Sequence, residues 1–226
     1  MKKDVTKNEG SKLPEHLKDW KPEEGETVAL RKEDVAMPVL SMVQPTSEMA
    51  IDGNARPGEI LNITEGKVIC EVGKVLYFYP FLFQRAWTVF KNVEKDMPDW
   101  GGIEYIKRVE DENAPLEFTD EDGVKCERKY CMVFYSFIGR EKGLVESIPY
   151  LLTLRSSGLT FGRYLSTEMY LRNKSANLPP YAMGMEVFTE LKKSTKGSYY
   201  VYKVKDKFYT PENVYKLCKK WLKALV

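Results

Sequence analysis

From position 35 onward, apolar residues come in short β-branched and aromatic runs set off by Gly, Pro and charged breakers. That spacing predicts strands more often than helices. Pro38-Val39-Leu40-Ser41-Met42-Val43 is the first run, and Ala55-Arg56-Pro57-Gly58 after it is a turn signal. Lys67 to Phe90 is the richest stretch: Val68 to Val72, a Gly73-Lys74 break, Val75 to Phe83, then Arg85 to Lys91. Pro80 has no N–H to give a ladder, so it marks a bend, bulge or edge. Tyr130 to Ile138 is apolar on both faces, which predicts a strand buried on both sides, and Ile148 to Arg155 predicts another.

Helical spacing appears twice. Ser156-Ser157-Gly158 offers a hydroxyl cap to a helix over about Leu159 to Arg172, which Leu178-Pro179-Pro180 stops. The second helix starts at Pro211 with Thr210 as its cap. There Val214, Leu217, Cys218, Trp221, Leu222 and Leu225 share one face, and Lys216, Lys219, Lys220 and Lys223 take the remainder. The apolar face predicts either packing on the core or contact with a second copy of the chain. Between the helices, Tyr181 to Lys192 and Tyr199 to Lys207 predict a hairpin, with Gly197 in its loop free to take a positive φ.

The order is strand, strand, strand, helix, strand, strand. It predicts a mainly β fold with two helices, built as a five-stranded OB-like Greek-key barrel with a helix between strands 3 and 4. Gly73 and Pro80 would supply the bends at its corners. Residues 35–226 read as one such domain with an excursion at about 96–127. Residues 1–34, charged and broken by Pro14, Pro22 and Gly25, read as a flexible polar leader.

Composition narrows the setting. A chain of 226 residues, 43% hydrophobic, can fill a core without disulfides. Cys70, Cys126, Cys131 and Cys218 form no C-x-x-C pair and His16, the one histidine, sits in the leader, so no zinc site or cofactor is expected. Scattered free cysteines suit a reducing compartment, hence a cytoplasmic location. Met1 to Gly10 is polar, unlike a secretory signal, and no run of about 18 apolar residues predicts a membrane span. Only Gln44 and Gln84 occur among abundant Lys and Glu, a bias like that of proteins from hot environments.

Net charge is only +2, but its distribution is uneven. Asp111 to Asp122 holds six acids and no base, and beyond Gly123 basic residues outnumber acids. The asymmetry points to a basic surface facing a polyanion, with the acidic loop competing for it.

Several stretches resemble the OB-fold single-stranded DNA-binding proteins of tailed bacteriophages. They are Met37 to Gln44 with Arg56 to Asn62, Gln84-Arg85-Ala86-Trp87, Tyr150 to Ser157 leading into the helix, and Gly197 to Val201 before the closing helix. The resemblance spans about Met37 to Leu225. It implies a protein that coats single-stranded DNA with little sequence preference during phage replication or recombination. Replication or recombination proteins are the further partners it implies. Better-known members end in an acidic tail that recruits such partners; this chain ends in Lys219 to Val226, so that recruitment does not carry over.

A single strand offers phosphates to cations and base faces to aromatic rings. The candidate residues mix both chemistries. Tyr77, Tyr79, Phe83, Arg85 and Trp87 share odd numbering, which predicts one strand face unless Pro80 shifts the register, and Lys91 follows them. On the closing hairpin stand Lys192, Lys193, Lys196, Tyr199, Lys203 and Lys205, and Arg155 precedes the Ser pair. No P-loop, dinucleotide fingerprint or G-x-S-x-G is present, so no enzyme is expected. The alternatives are a strand-annealing recombination mediator and a structural or protein-interaction module that binds no DNA.

Overall fold

The short apolar run after Pro38 is a strand, β1 (Val39–Met42), and a single helical turn, α1 (Glu48–Ile51), follows it. These elements belong to a computed structural model that describes residues 37–94, 97–108, 110–195 and 197–225. The predicted leader lies outside the described residues. At the Arg56–Gly58 turn, Gly58 takes φ 92° and faces the Tyr200 ring so closely that no Cβ would fit. β2 (Ile60–Asn62) and β3 (Lys67–Cys70) come next, then β4 (Leu76–Glu94) and β5 (Met97–Tyr105). A 3-10 turn at Glu110–Asn113 and β6 (Glu117–Thr119) complete the excursion. β7 (Lys125–Gly139) and β8 (Tyr150–Arg155) lead through a 3-10 turn at Ser156–Gly158 into α2 (Leu159–Ala176). β9 (Met183–Ser194), β10 (Gly197–Tyr209) and α3 (Glu212–Leu225) close the described chain.

The strands form one mixed sheet of ten, ordered β10-β9-β4-β7-β8-β1-β2-β3, with β5 on β4 and β6 on β7. β1 runs parallel to β8, and the other pairs are antiparallel. The five predicted strands lie side by side as β10-β9-β4-β7-β8 with a helix after β8. The sheet is nevertheless larger than five strands, and its hydrogen-bonded path is open rather than closed. One reason is length. A strand of 19 residues reaches roughly 60 Å, far beyond the wall of a small barrel. β9 therefore takes only Leu76–Phe78 of one β4 edge, and β5 takes the stretch from Ala86 to Glu94. Beyond Ala86 and Cys131 the far half of β4 and the start of β7 are flanked by β5 and β6 instead of β9 and β8, and these segments are the arm of the sheet.

Pro80 does shift the register. The β4–β7 ladder slips between Pro80 and Leu82, leaving Phe81 as the extra residue. Before the slip, Tyr79 and Phe81 point to one side of the sheet; after it, Phe83 points to the other and stacks on Phe134 at 5.0 Å. The single face expected from Tyr77 to Trp87 is thus two faces.

Both sides of the sheet are buried, as the apolar pattern of Tyr130 to Ile138 predicts. One cluster gathers Leu40, Ile60, Phe78, Phe134 and Tyr202, and α2 seals it with Phe161, Leu165 and Met169. The opposite cluster gathers Tyr79, Phe81, Val133 and Phe137 beneath Val214 and Cys218 of α3. Burying one such ring contributes about 1.5–3 kcal/mol. All six apolar positions predicted on α3 pack on this cluster, Val214 and Cys218 buried and the other four partly exposed. The four cysteines are free and buried.

α2 begins where expected but runs on to Ala176. Asn177, at φ 50°, takes the left-handed position that ends a helix, ahead of the predicted proline stop. Among the described residues, no helix is long and apolar enough to cross a membrane.

Candidate nucleic-acid interface

The stripe Phe161, Leu165, Met169 repeats every four residues and faces the core, so Thr160 and Tyr164 fall off it. Phe161 stacks on Tyr202 of β10 at 5.2 Å, fixing the helix beside that strand. Between them lies a groove of about 580 Å³. The helix side contributes Ser157, Thr160 and Tyr164, and the strand side Tyr199, Lys203, Lys205 and Lys207, with Lys192 from β9. Every residue from Val201 to Lys207 lines the groove. A strand face would expose alternate residues only, so the groove follows the edge of β10.

The groove lysines hold loose partners. Lys203 lies 3.7 Å from Glu190 and Lys205 3.6 Å from Glu186, while Lys207 lies 3.1 Å from Glu168. A pair as exposed as Lys203–Glu190 contributes about 0–1 kcal/mol, so a phosphate can replace that carboxylate; Glu186 and Glu168 are the more covered partners. The hydrogen bond from Lys207 to Glu168 raises the lysine's pKa, keeping it charged. Its ammonium also lies 5.9 Å from the Tyr164 ring. Four lysines and the Tyr164 and Tyr199 rings thus line one trough, cations and rings being the two chemistries that meet a single strand.

A second group stands on the arm. Trp87 faces Tyr130 directly across the β4–β7 ladder, ring to ring at 5.8 Å and nearly perpendicular. Arg85 and Lys91 share that face by strand alternation, since the ladder is unbroken from Leu82 to Lys91. The excursion folds over them. Glu112 pairs with Arg85, the Trp87 Nε1–H donates to the Asp111 carbonyl at 3.1 Å, and Lys91 meets Asp120 at 2.8 Å. The Lys91 hydrogen bond holds the Asp120 carboxyl below its ordinary pKa. The acidic stretch therefore lies against β4, not against the basic C-terminal half.

A family model described as Pam3 phage gp34-like protein matches residues 6–226. The chain belongs to the Pam3 phage gp34-like family. The family name supports the bacteriophage side of the resemblance and names no ligand. No curated protein and no solved structure matches the chain.

In this gp34-like chain the candidate residues fall into three groups. Lys192, Tyr199, Lys203 and Lys205 come together at the groove, and Lys193 stands exposed beside it on β9. Arg85, Trp87 and Lys91 come together on the arm. The others do not join either group. Tyr79 is fully buried and its hydroxyl accepts the Gly143 N–H at 2.8 Å, while Tyr77 packs edge-on against Phe208 at 5.9 Å. Tyr79 is core, a correction to its reading as a stacking residue, and Tyr77 is half-buried against the same cluster. Phe83 is held by its stack on Phe134. Arg155 is paired with Cys131, which puts it on the opposite face of the sheet from Trp87, where it lies 5.2 Å over the Phe90 ring. Lys196 lies outside the described residues.

Sequence reading missed Ser157, Thr160 and Tyr164 in the groove, and Tyr130 on the arm. No local signal marks Tyr164, which stands three residues after Phe161 where the helical repeat reads as core, or Tyr130, which opens an apolar run whose other members are core residues.

Proposed function

We propose that this chain binds single-stranded DNA largely without sequence preference, as a coating protein of phage replication or recombination. The observation that carries the reading is the open groove along β10, where Tyr164 and Tyr199 stand among Lys192, Lys203, Lys205 and Lys207. Rings stack on base faces for about 1–3 kcal/mol per base, whatever the base. Lysines neutralise phosphates and release counterions, which adds affinity that salt removes. Lys192 and Tyr199 carry the groove toward the connection between the last two strands, one of the loops beside the binding face of an OB-like Greek-key barrel. The strand order β10-β9-β4-β7-β8, with a helix after β8, favours that architecture as the kernel of the larger sheet.

The test is fluorescence anisotropy of a labelled dT strand of about 30 nucleotides, a length of two or more single-domain sites, at two salt concentrations with an unlabelled duplex competitor. Tight binding that salt weakens and duplex barely disturbs supports the reading. Absence of binding at low salt overturns it.

One observation favours a protein-interaction module instead. The Tyr200 N–H and C=O both turn away from β9 toward the Gln44 side chain. By the two-residue period, the backbone of Tyr202 and Val204 turns the same way, toward the groove. An open strand edge of that kind accepts an extended peptide by β-addition. A module of this kind has no salt-sensitive affinity for DNA, so the same titration separates the two readings.

A further inference from the structure

We propose that Arg85, Trp87, Tyr130 and Lys91 form a second single-strand-binding patch, which the acidic excursion covers until a strand long enough to leave the β10 groove displaces it. The inference rests on the groove reading above and extends it.

The patch has the same chemistry as the groove: two rings in contact and two cations on one strand face. The cover supplies the groups a nucleic acid would supply. The Glu112 and Asp120 carboxylates stand on Arg85 and Lys91 where phosphates would stand. The Asp111 carbonyl takes the indole N–H of Trp87, holding the backbone of the excursion at the ring. Exchange of carboxylate for phosphate keeps each cation paired, and the strand also sheds its own counterions.

The part of the cover over Arg85 and Trp87 is built to lift, while Asp120 stays in the β6–β7 turn, where its N–H donates to the Val124 carbonyl at 2.9 Å. None of Glu110–Asn113 is buried, so little apolar surface is exposed when it leaves. Its shape is held from within: the Lys107 and Arg108 N–H groups both donate to Asp111 Oδ2 at 2.9 Å. It can therefore move as a preformed turn rather than unravel.

The groove and the patch are joined across α2. Tyr164 lines the groove, and Arg163, the residue before it, lies within electrostatic reach of the Tyr130 hydroxyl, as does Arg85. Gly162 allows this approach: a Cβ there would come within 2.8 Å of the Met132 sulfur, and Met132 is the ladder partner of Arg85. A strand leaving the groove over Tyr164 meets Arg163 next and then the Tyr130–Trp87 pair.

The experiment compares two dT strands on the full chain at low salt, one of about 6 nucleotides that fits a single site and one of about 30 that spans both. Glu112→Gln with Asp120→Asn should tighten the long strand about three- to ten-fold, the scale of one exposed and one half-covered ion pair, and leave the short one unchanged. Trp87→Phe keeps the ring and removes the N–H, so it should also favour the long strand; Trp87→Ala should weaken it. Equal effects on both lengths, or none on the long strand, overturn the second patch and leave the groove reading intact. A wild-type chain that binds neither strand overturns both.

Discussion

Gln44 pairs with Tyr200 as if its side chain were a stretch of backbone. The Gln44 Nε2 amide donates to the Tyr200 carbonyl at 3.1 Å, and the Tyr200 N–H donates to Gln44 Oε1 at 2.9 Å. The two residues are 156 positions apart. This side chain joins the segment after β1 to β10, an edge the ladder leaves open. Nearby, the Thr189 hydroxyl donates to the Gly58 carbonyl at 2.6 Å, so a second side chain fastens the same seam.

Removing the Gln44 amide leaves both backbone groups of Tyr200 without a protein partner. Gln44→Ala should destabilise the fold by about 1–3 kcal/mol, the range for stranding a partly buried polar group. Gln44→Glu should cost a similar amount, because a carboxylate cannot donate to the Tyr200 carbonyl. Urea denaturation measures both, and wild-type stability in Gln44→Ala would show that the seam contributes nothing to the fold.

Tyr202 offers the opposite case. Its ring is buried against Phe161, its hydroxyl has no partner among the described residues, and burial pushes its pKa up. Tyr202→Phe keeps the stack and removes the stranded hydroxyl, so it should stabilise the chain by about 1 kcal/mol. A loss of stability on denaturation would mean the hydroxyl is satisfied after all.

The groove and the buried tyrosines separate binding from folding. Lys203→Ala with Lys205→Ala should lower the slope of log affinity against log salt by roughly 1.4, about 0.7 for each phosphate no longer neutralised. Tyr164→Ala should weaken the labelled dT strand by about 1–3 kcal/mol. Tyr79→Phe should leave that affinity alone and cost about 0.5–1.5 kcal/mol of stability, because the Gly143 N–H then has no hydroxyl to donate to. Anisotropy and denaturation of the same samples check each assignment.

Asp120 gives the excursion a pH dependence. The Lys91 hydrogen bond, then the Val124 N–H, hold its carboxyl below the ordinary value of about 3.9. A depressed folded pKa means that the anchoring is present above the unfolded value and is lost as pH falls through the lower folded value. Hydrogen exchange at Val124, whose N–H donates to Asp120 at 2.9 Å, should therefore lose protection, beyond its intrinsic pH dependence, only below about pH 4. Asp120→Asn should remove that step, and an unchanged step would place the titration elsewhere.

The local grammar of this chain determined its elements. Period-two apolar runs made the strands, the i, i+3, i+4 stripe made α3, and the double-sided apolar stretch made the buried centre of β7, because these depend on residues only a few positions apart. The order of strands around the single long helix was legible for the same reason. Ligand-facing aromatics were not. One extra residue at Phe81 reversed every side chain that followed it, and a bulge is decided by what packs on either side, here Phe137 against Phe81 and Phe134 against Phe83. Tertiary structure also decided that the excursion folds back onto Arg85 and Trp87, that α2 opens a groove beside β10, and that Gln44 fastens the seam. Each of these joins residues 24 to 156 positions apart along the chain. Their free energy comes from packing and hydrogen bonding across space, which no local pattern in the sequence records.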